Sequence, residues 1–190
     1  MSKPSKEAAI NAVKTLLQYI GVDINNEHFI DTASRVINSY DELYSGYDQD
    51  AASILSSKSY DHSAYQEIIL LKNIEFCSMC AHHMLPIIGK ASVCYVPRDK
   101  VVGISKIVKV VDVSAKRLQI QENMTTEIAQ NIQENLNPFG VAVKISAMHC
   151  CMTMRGVRQS NTLMDTYHFT GVFNQEEPRR QNFINILAGS

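Results

Sequence analysis

Apolar residues recur at helical spacing, then at strand spacing, then at each again along these 190 residues, and this order predicts an α+β fold with an antiparallel sheet. Three observations carry the expectation. Two N-terminal stretches show a 3.6-residue stripe, two pairs of β-branched runs follow, and two further helical stretches lie between those pairs. Such an order gathers helices on one face of the sheet and leaves the other face, or the sheet edges, needing cover.

The first helix is expected over 5–20, where Ala8, Ala9, Val13, Leu16, Leu17 and Ile20 share a stripe and Gly21 supplies a stop. A second is expected over about 28–43, with Phe29, Ile30, Ala33, Val36, Ile37 and Tyr40 on one side and a Ser45-Gly46 breaker. Residues 47–64 are rich in Asp, Ser and Tyr, show no clear period, and read as an irregular surface connection. Strands are expected over 67–76 and 89–96, the latter closed by Pro97-Arg98-Asp99, and the two should pair antiparallel. Between 105 and 136 the pattern is helical, first through Ile107, Val108, Val111 and Val113, then from Glu122 to Leu136, where Asn137-Pro138 and Gly140 end it. Strands over 141–154 and about 166–173 follow, and a short helix over 178–187 opens on Pro178. The two N-terminal helices are too little chain to bury a core of their own, so one domain over 1–190 is expected, with a helical part over 1–60 and a core over 65–190.

Charge narrows the partners. With 18 Lys+Arg against 19 Asp+Glu, the chain lacks the electrostatic footprint for wrapping nucleic acid or lying on an anionic membrane, though a local basic pocket remains compatible. No signal-peptide apolar core opens the sequence and no apolar run reaches bilayer length, so a cytoplasmic protein is expected. Five cysteines, odd in number and clustered, suit metal or thiol chemistry better than a disulfide framework.

Cys77-Ser78-Met79-Cys80-Ala81-His82-His83 packs two thiols and two imidazoles into seven residues, and His149-Cys150-Cys151 forms a second concentration further on. If 141–154 is one strand, His149 and Cys151 share a face and Cys150 points away. Thiolate and imidazole are ligands that zinc prefers, and three protein ligands leave a position for water. Cys80, His83 and Cys151 form such a set, with His82 and His149 left beside it as proton carriers. A closed structural site, built from Cys77 and Cys80 with Cys150, Cys151 or a histidine, is the alternative reading of the same spacing.

Taken together, Cys80 followed by His82-His83, the Gly103-Ile104-Ser105-Lys106 turn, Gln119-Ile120-Gln121-Glu122 and the run from Met148 to Val157 resemble GTP cyclohydrolase I, in the same order and at similar separations. Asp31-Thr32-Ala33-Ser34-Arg35 and Tyr44-Ser45-Gly46 resemble the helical N-terminal part of that family, so the likeness runs from about residue 28 to the C-terminus. The resemblance implies a tunnelling fold whose sheets assemble into an antiparallel barrel, a homodecamer with active sites between subunits, and conversion of GTP to formate and 7,8-dihydroneopterin triphosphate on a route to pterins or tetrahydrofolate. It makes Cys80, His83 and Cys151 the zinc ligands, and His82 and His149 the acid/base residues. It places Glu122 on the guanine N1-H and 2-amino group with Gln121 beside it, and Ser105 near the ribose. Lys106, Lys109, Arg155 and Arg35 fall on the triphosphate.

The chain departs from the family pattern in places. Ala81 stands where Glu is usual, Lys109 where Arg is usual, and Asn123 where Arg normally follows the guanine-binding Glu; Leu163 to His168 replace a Ser/Thr-rich strand. Ala81 removes a carboxylate that would orient a histidine, and Lys109 exchanges a planar fork for a point charge. A related enzyme with an altered product, or a GTP-binding oligomer without turnover, are the competing expectations.

Overall fold

The computed structural model describes residues 3–56, 59–61, 65 and 67–188, arranged as two compact units, Met1–Ser45 and Gly46–Ser190. In the first, α1 (Lys6–Tyr19) starts at Ser5, whose Oγ accepts the Ala8 N–H at 3.1 Å. α2 (Thr32–Leu43) begins about four residues later than its apolar stripe suggests. Asn26 is the reason: its side-chain oxygen accepts the His28 N–H and its carbonyl accepts the N–H of Phe29 and Ile30, an alternative to helical bonding. Lys6 Nζ to Asp41 Oδ2, at 3.0 Å, joins the two helices. α1 buries none of its residues, and Leu16 is 62% exposed.

The second unit is built on a five-stranded sheet. Its strands are β2 (Ile69–Cys80), β3 (Pro86–Val96), β5 (Leu118–Gln119), β6 (Gly140–His149) and β7 (Met164–Phe169), ordered β5-β2-β3-β6-β7. β2 and β3 pair antiparallel as expected, β3 pairs β6 and β6 pairs β7 likewise, and only the short β5 runs parallel to its neighbour β2. A small second ladder joins β1 (Ser59–Asp61) to β4 (Lys100–Val102). Among the described residues no helix is long and apolar enough to cross a membrane.

One sheet face carries Phe76, Val93, Tyr95, Val143 and Ile145 into a core with Ile107 and Val111 of α4 (Ile104–Ala115) and Ile128 and Ile132 of α5 (Gln121–Leu136). Leu55 of α3 (Ala51–Ser56) joins that core at 1% exposure. Residues 47–64 are therefore not wholly irregular. A 3-10 turn over Ser45–Asp48 precedes α3, and Asp50 caps α3 by accepting the N–H of Ala52 and Ser53 and the Ser53 hydroxyl. Those three bonds hold the Asp50 carboxyl below its ordinary range. Residues 57, 58 and 62–64 of this stretch lie outside the described residues.

The opposite sheet face is covered over only part of its area. Cys94, Val96 and Ala142 pack against Phe173 of α7 (Val172–Gln175) and Phe183 of α8 (Glu177–Ala188), while Glu75, Cys77, Ile88 and Lys90 stay exposed. This is the uncovered face that the element order anticipates. The last two strands are shorter than expected. β6 stops at His149, where Cys150–Thr153 turns helical as α6, and β7 stops at Phe169 before Gly171, with φ of 51°, reverses the chain. The parity that put His149 and Cys151 on one strand face therefore does not apply beyond His149.

Two expectations follow. Gly89 faces Ala147 across the β3–β6 ladder, and a Cβ there would fall on the Ser146 carbonyl oxygen and 2.5 Å from Ala147 Cβ. Gly89→Ala should cost about 1–3 kcal/mol, read as a lowered urea midpoint with unchanged slope. His168 of β7 is half-buried against Thr126 of α5, and burial lowers its pKa from the ordinary 6.5. The unfolded chain then binds the proton first as pH falls, so the stability present above about pH 6.5 is lost progressively below it. His168→Gln should flatten that part of the urea-midpoint profile between pH 7 and the acid limb.

Candidate active site with a Cys–His–Cys group

The site forms at one end of the sheet, where three strands finish or begin together. Met79 of β2 lies opposite Pro86 of β3, and Ile87 lies opposite His149, the last residue of β6. Between β2 and β3 the chain reverses in a tight turn, with Cys80 N–H donating to Leu85 O, Met84 N–H donating to Cys80 O, and Met84 at φ of 53°. That turn folds His83 back over Cys80, with Nδ1 3.9 Å from Sγ. From the other side α6 brings in Cys151. One ligand atom from each of Cys80, His83 and Cys151 lies within 4.8 Å of the others.

Cys80 is buried, Cys151 half-buried and His83 exposed, so the group opens to solvent on the imidazole side. Burial raises the Cys151 thiol above its ordinary value, and the neighbouring Cys80 sulfur adds to this by like charge and by a thiol hydrogen bond, while the Arg155 guanidinium opposes it. Two thiols and an imidazole at this separation match the soft donor set of zinc, and a cation among them would favour both thiolates. Cys77, three residues before Cys80 on β2, sits on the exposed face and does not join. Among the described residues the closed four-ligand arrangement is thus not formed; three donors converge.

The remaining candidates divide by position. His149 sits beside the group with Nε2 2.8 Å from Gln121 Oε1, and its pKa is lowered by burial against the opposing pull of the Glu122 carboxylate. Gln121 and Glu122 reach this end because β5 pairs with the end of β2 and leads directly into α5; Ala81 N–H donates to Gln119 O at 3.0 Å. Glu122 is exposed and Gln121 buried. His82 is exposed, its ring edge-on to that of His83 at 6.2 Å between centroids. Arg155, just beyond α6, places Nη1 2.9 Å from His83 Nε2.

Ser105, Lys106 and Lys109 do not join this cluster within one chain. α4 starts just after β4, at the end of the sheet where β3 finishes, and its 12 residues, about 18 Å of helix, run back toward β5. Arg35 lies in the first unit, paired with Asp31 at 3.2 Å.

Sequence reasoning missed the supports of this site. Gln121 Nε2 donates to Met164 O at 2.8 Å and Thr166 Oγ1 at 3.1 Å, and Thr125 Oγ1 donates to Gln121 O at 2.7 Å while meeting Thr166 Oγ1 at 2.6 Å. These partners are 41 or more positions apart across α5 and β7, and no local spacing signals them.

The profile of the GTP cyclohydrolase I family matches residues 9–188. The GTP cyclohydrolase 1 of Rickettsia felis is 53% identical over 188 residues, covering 99% of both chains, and that of Rickettsia prowazekii is 50% identical over the same share. Among solved structures, an archaeosine synthase QueF-Like in the apo form aligns with a TM-score of 0.46 and 20% identity over 55% of this chain and 93% of its own. An E. coli dihydroneopterin aldolase in complex with neopterin aligns with a TM-score of 0.40 and 11% identity over 54% of this chain and 98% of its own. With the profile and these relatives spanning nearly all of a chain that gathers Cys80, His83 and Cys151 beside His149, the protein belongs to the GTP cyclohydrolase I family.

Proposed function

We propose that this chain hydrolyses GTP at C8, releasing formate and rearranging the remainder to 7,8-dihydroneopterin triphosphate, as a cytoplasmic step toward pterins or tetrahydrofolate. The observation that carries the reading is the convergence of three zinc-type donors beside a half-buried imidazole and an exposed carboxylate at the end of the sheet. Membership of a family whose relatives are named for this activity supports it.

Cys80, His83 and Cys151 hold the metal, which we take to be zinc from the thiolate and imidazole donors. Zinc, when bound, supplies Lewis-acid activation of water for attack on C8. His149 gives a proton to the purine near N7; burial lowers its pKa, which makes its imidazolium the stronger acid toward that nitrogen. His82, exposed beside His83, is the second proton carrier. Glu122, on the first turn of α5, accepts from the guanine N1-H and 2-amino group and leaves adenine without matching donors. Ser105 meets the ribose. Lys106, Lys109, Arg155 and Arg35 hold the triphosphate, the first two in the opening turns of α4, where the positive end of the helix dipole favours anions.

Because the start of α4 and the Cys–His–Cys group lie at opposite ends of one sheet, a single copy does not assemble both halves. We therefore propose a homo-oligomer, a decamer on the family pattern, in which α4 of one copy completes the site of another. The exposed sheet face around Cys77 and Ile88, the latter 48% exposed, and the exposed Leu16 and Tyr19 of α1 are the surfaces such an assembly would bury. Within this reading the chain acts as one functional domain.

Incubation of the zinc-loaded protein with GTP should yield formate and, after oxidation, a fluorescent pterin. GTP consumed without formate would indicate a ring-opened product, and GTP bound without consumption would indicate a binding protein. Glu122→Ala should lower kcat/KM for GTP by about 10²-fold or more, because two charge-assisted bonds are lost. Cys151→Ser should weaken zinc by more than about 10²-fold in a chelator competition, since losing even a hydrogen-bond partner of a ligand costs 10–100-fold. Cys150→Ser should retain the metal.

A further inference from the structure

The resemblance to the family sets Gln121 beside the guanine, but the residue is 1% exposed and both ends of its amide are engaged inside the protein. We propose that Gln121 is a positioning residue: it fixes neutral His149 as the Nε2–H tautomer and thereby makes Nδ1 the nitrogen that exchanges protons with the substrate. The proposal rests on the reading of His149 as the acid/base group.

The orientation of the amide decides the tautomer, and the partners decide the orientation. Met164 O at 2.8 Å and Ile145 O at 3.3 Å are backbone carbonyls, which accept only, so the amide end facing them is the NH₂. Thr125 donates its one hydroxyl proton to Gln121 O, so the 2.6 Å contact with Thr166 requires Thr166 to donate to Thr125. That leaves Thr166 Oγ1 as an acceptor for Gln121 Nε2 at 3.1 Å. A flipped amide would set its oxygen against two carbonyl oxygens. Gln121 Oε1 therefore faces His149, and an amide oxygen can only accept, so the His149 nitrogen 2.8 Å away carries a proton. With Nε2–H committed, the neutral ring keeps its lone pair on Nδ1.

The arrangement sits on regular elements. Gln121 opens α5, Thr125 lies one turn further along it, and Met164 and Thr166 belong to β7, so the amide is clamped between a helix and a strand. A neutral amide also orients the ring without adding the negative charge that a carboxylate partner would bring.

The test uses the full-length protein with 15N-labelled histidine, at about pH 8.5 where His149, its pKa lowered by burial, is neutral, and assigns the His149 signals by their loss in His149→Asn. Solid-state NMR should show Nδ1 of His149 as the unprotonated nitrogen in the wild-type protein; finding Nε2 unprotonated overturns the proposal without any Gln121 variant. Gln121→Met, similar in volume but without the acceptor, should give mixed tautomers and lower kcat for GTP by about 10–100-fold, with KM within about twofold. A raised KM at unchanged kcat would instead mean that Gln121 binds guanine, and overturns the proposal. The tautomer is read without turnover. An inactive protein with Nε2–H His149 would therefore speak against the proposed reaction alone, and an active one with Nδ1–H against this inference alone.

Discussion

The register of β2, β3 and β6 brings the turn at residues 81–85 and the helical turn at Cys150–Thr153 to the same end of the sheet. Arg155 reaches His83 across 72 positions of sequence only because Met79, Pro86, Ile87 and His149 line up there. A slip of one residue between β3 and β6 would exchange the faces of every side chain on the slipped strand, exposing Val143 and Ile145 and burying Lys144. Burial of the sheet's inner face against α4 and α5 thus holds Cys80, His83 and Cys151 in place as surely as the turns that carry them.

Support for the His149 side of the site comes from the helix layer. α5 sends Gln121, Thr125 and Thr126 toward β7, where Thr166 and His168 receive them. β7 belongs to the segment that departs from the family's Ser/Thr-rich pattern, yet it keeps a hydroxyl at Thr166 beneath the Gln121 amide. Ala81 contributes its backbone instead of a carboxylate, tying the metal turn to β5 through Gln119 O. The Arg155 guanidinium, which can only donate, meets Nε2 of His83; a metal on the other ring nitrogen would put the ring proton on Nε2 and turn it toward an acceptor instead.

Much of this was legible in the sequence. The α+β order, the β2–β3 pairing and the helices at both ends of the chain follow from apolar period and from Gly and Pro stops, which act locally. The Cys80, His83 and Cys151 set was readable as well, although by a partly mistaken route: strand parity was extended past His149 into residues that coil into α6. A strand and a one-turn helix both carry Cys151 back toward Cys80, so the inference survived a wrong premise. α3 was missed because six residues give too little period to register; the Asp50 cap was its available signal. The Gln121 clamp left no trace at all, since its partners belong to different elements and none of them is unusual in its own neighbourhood.

The direction of α4 has a thermodynamic corollary. It starts at one end of the sheet and delivers the chain to β5 at the other, so each copy offers an anion-attracting helix terminus and a Cys–His–Cys pole separated by the length of that helix. In the proposed oligomer, a nucleotide gripped by the terminus of one copy and the pole of its neighbour would act as a crosslink. Mass action would then tie the cohesion of the proposed oligomer to nucleotide supply, so that saturating ligand would oppose dilution-driven dissociation and depletion would loosen the assembly.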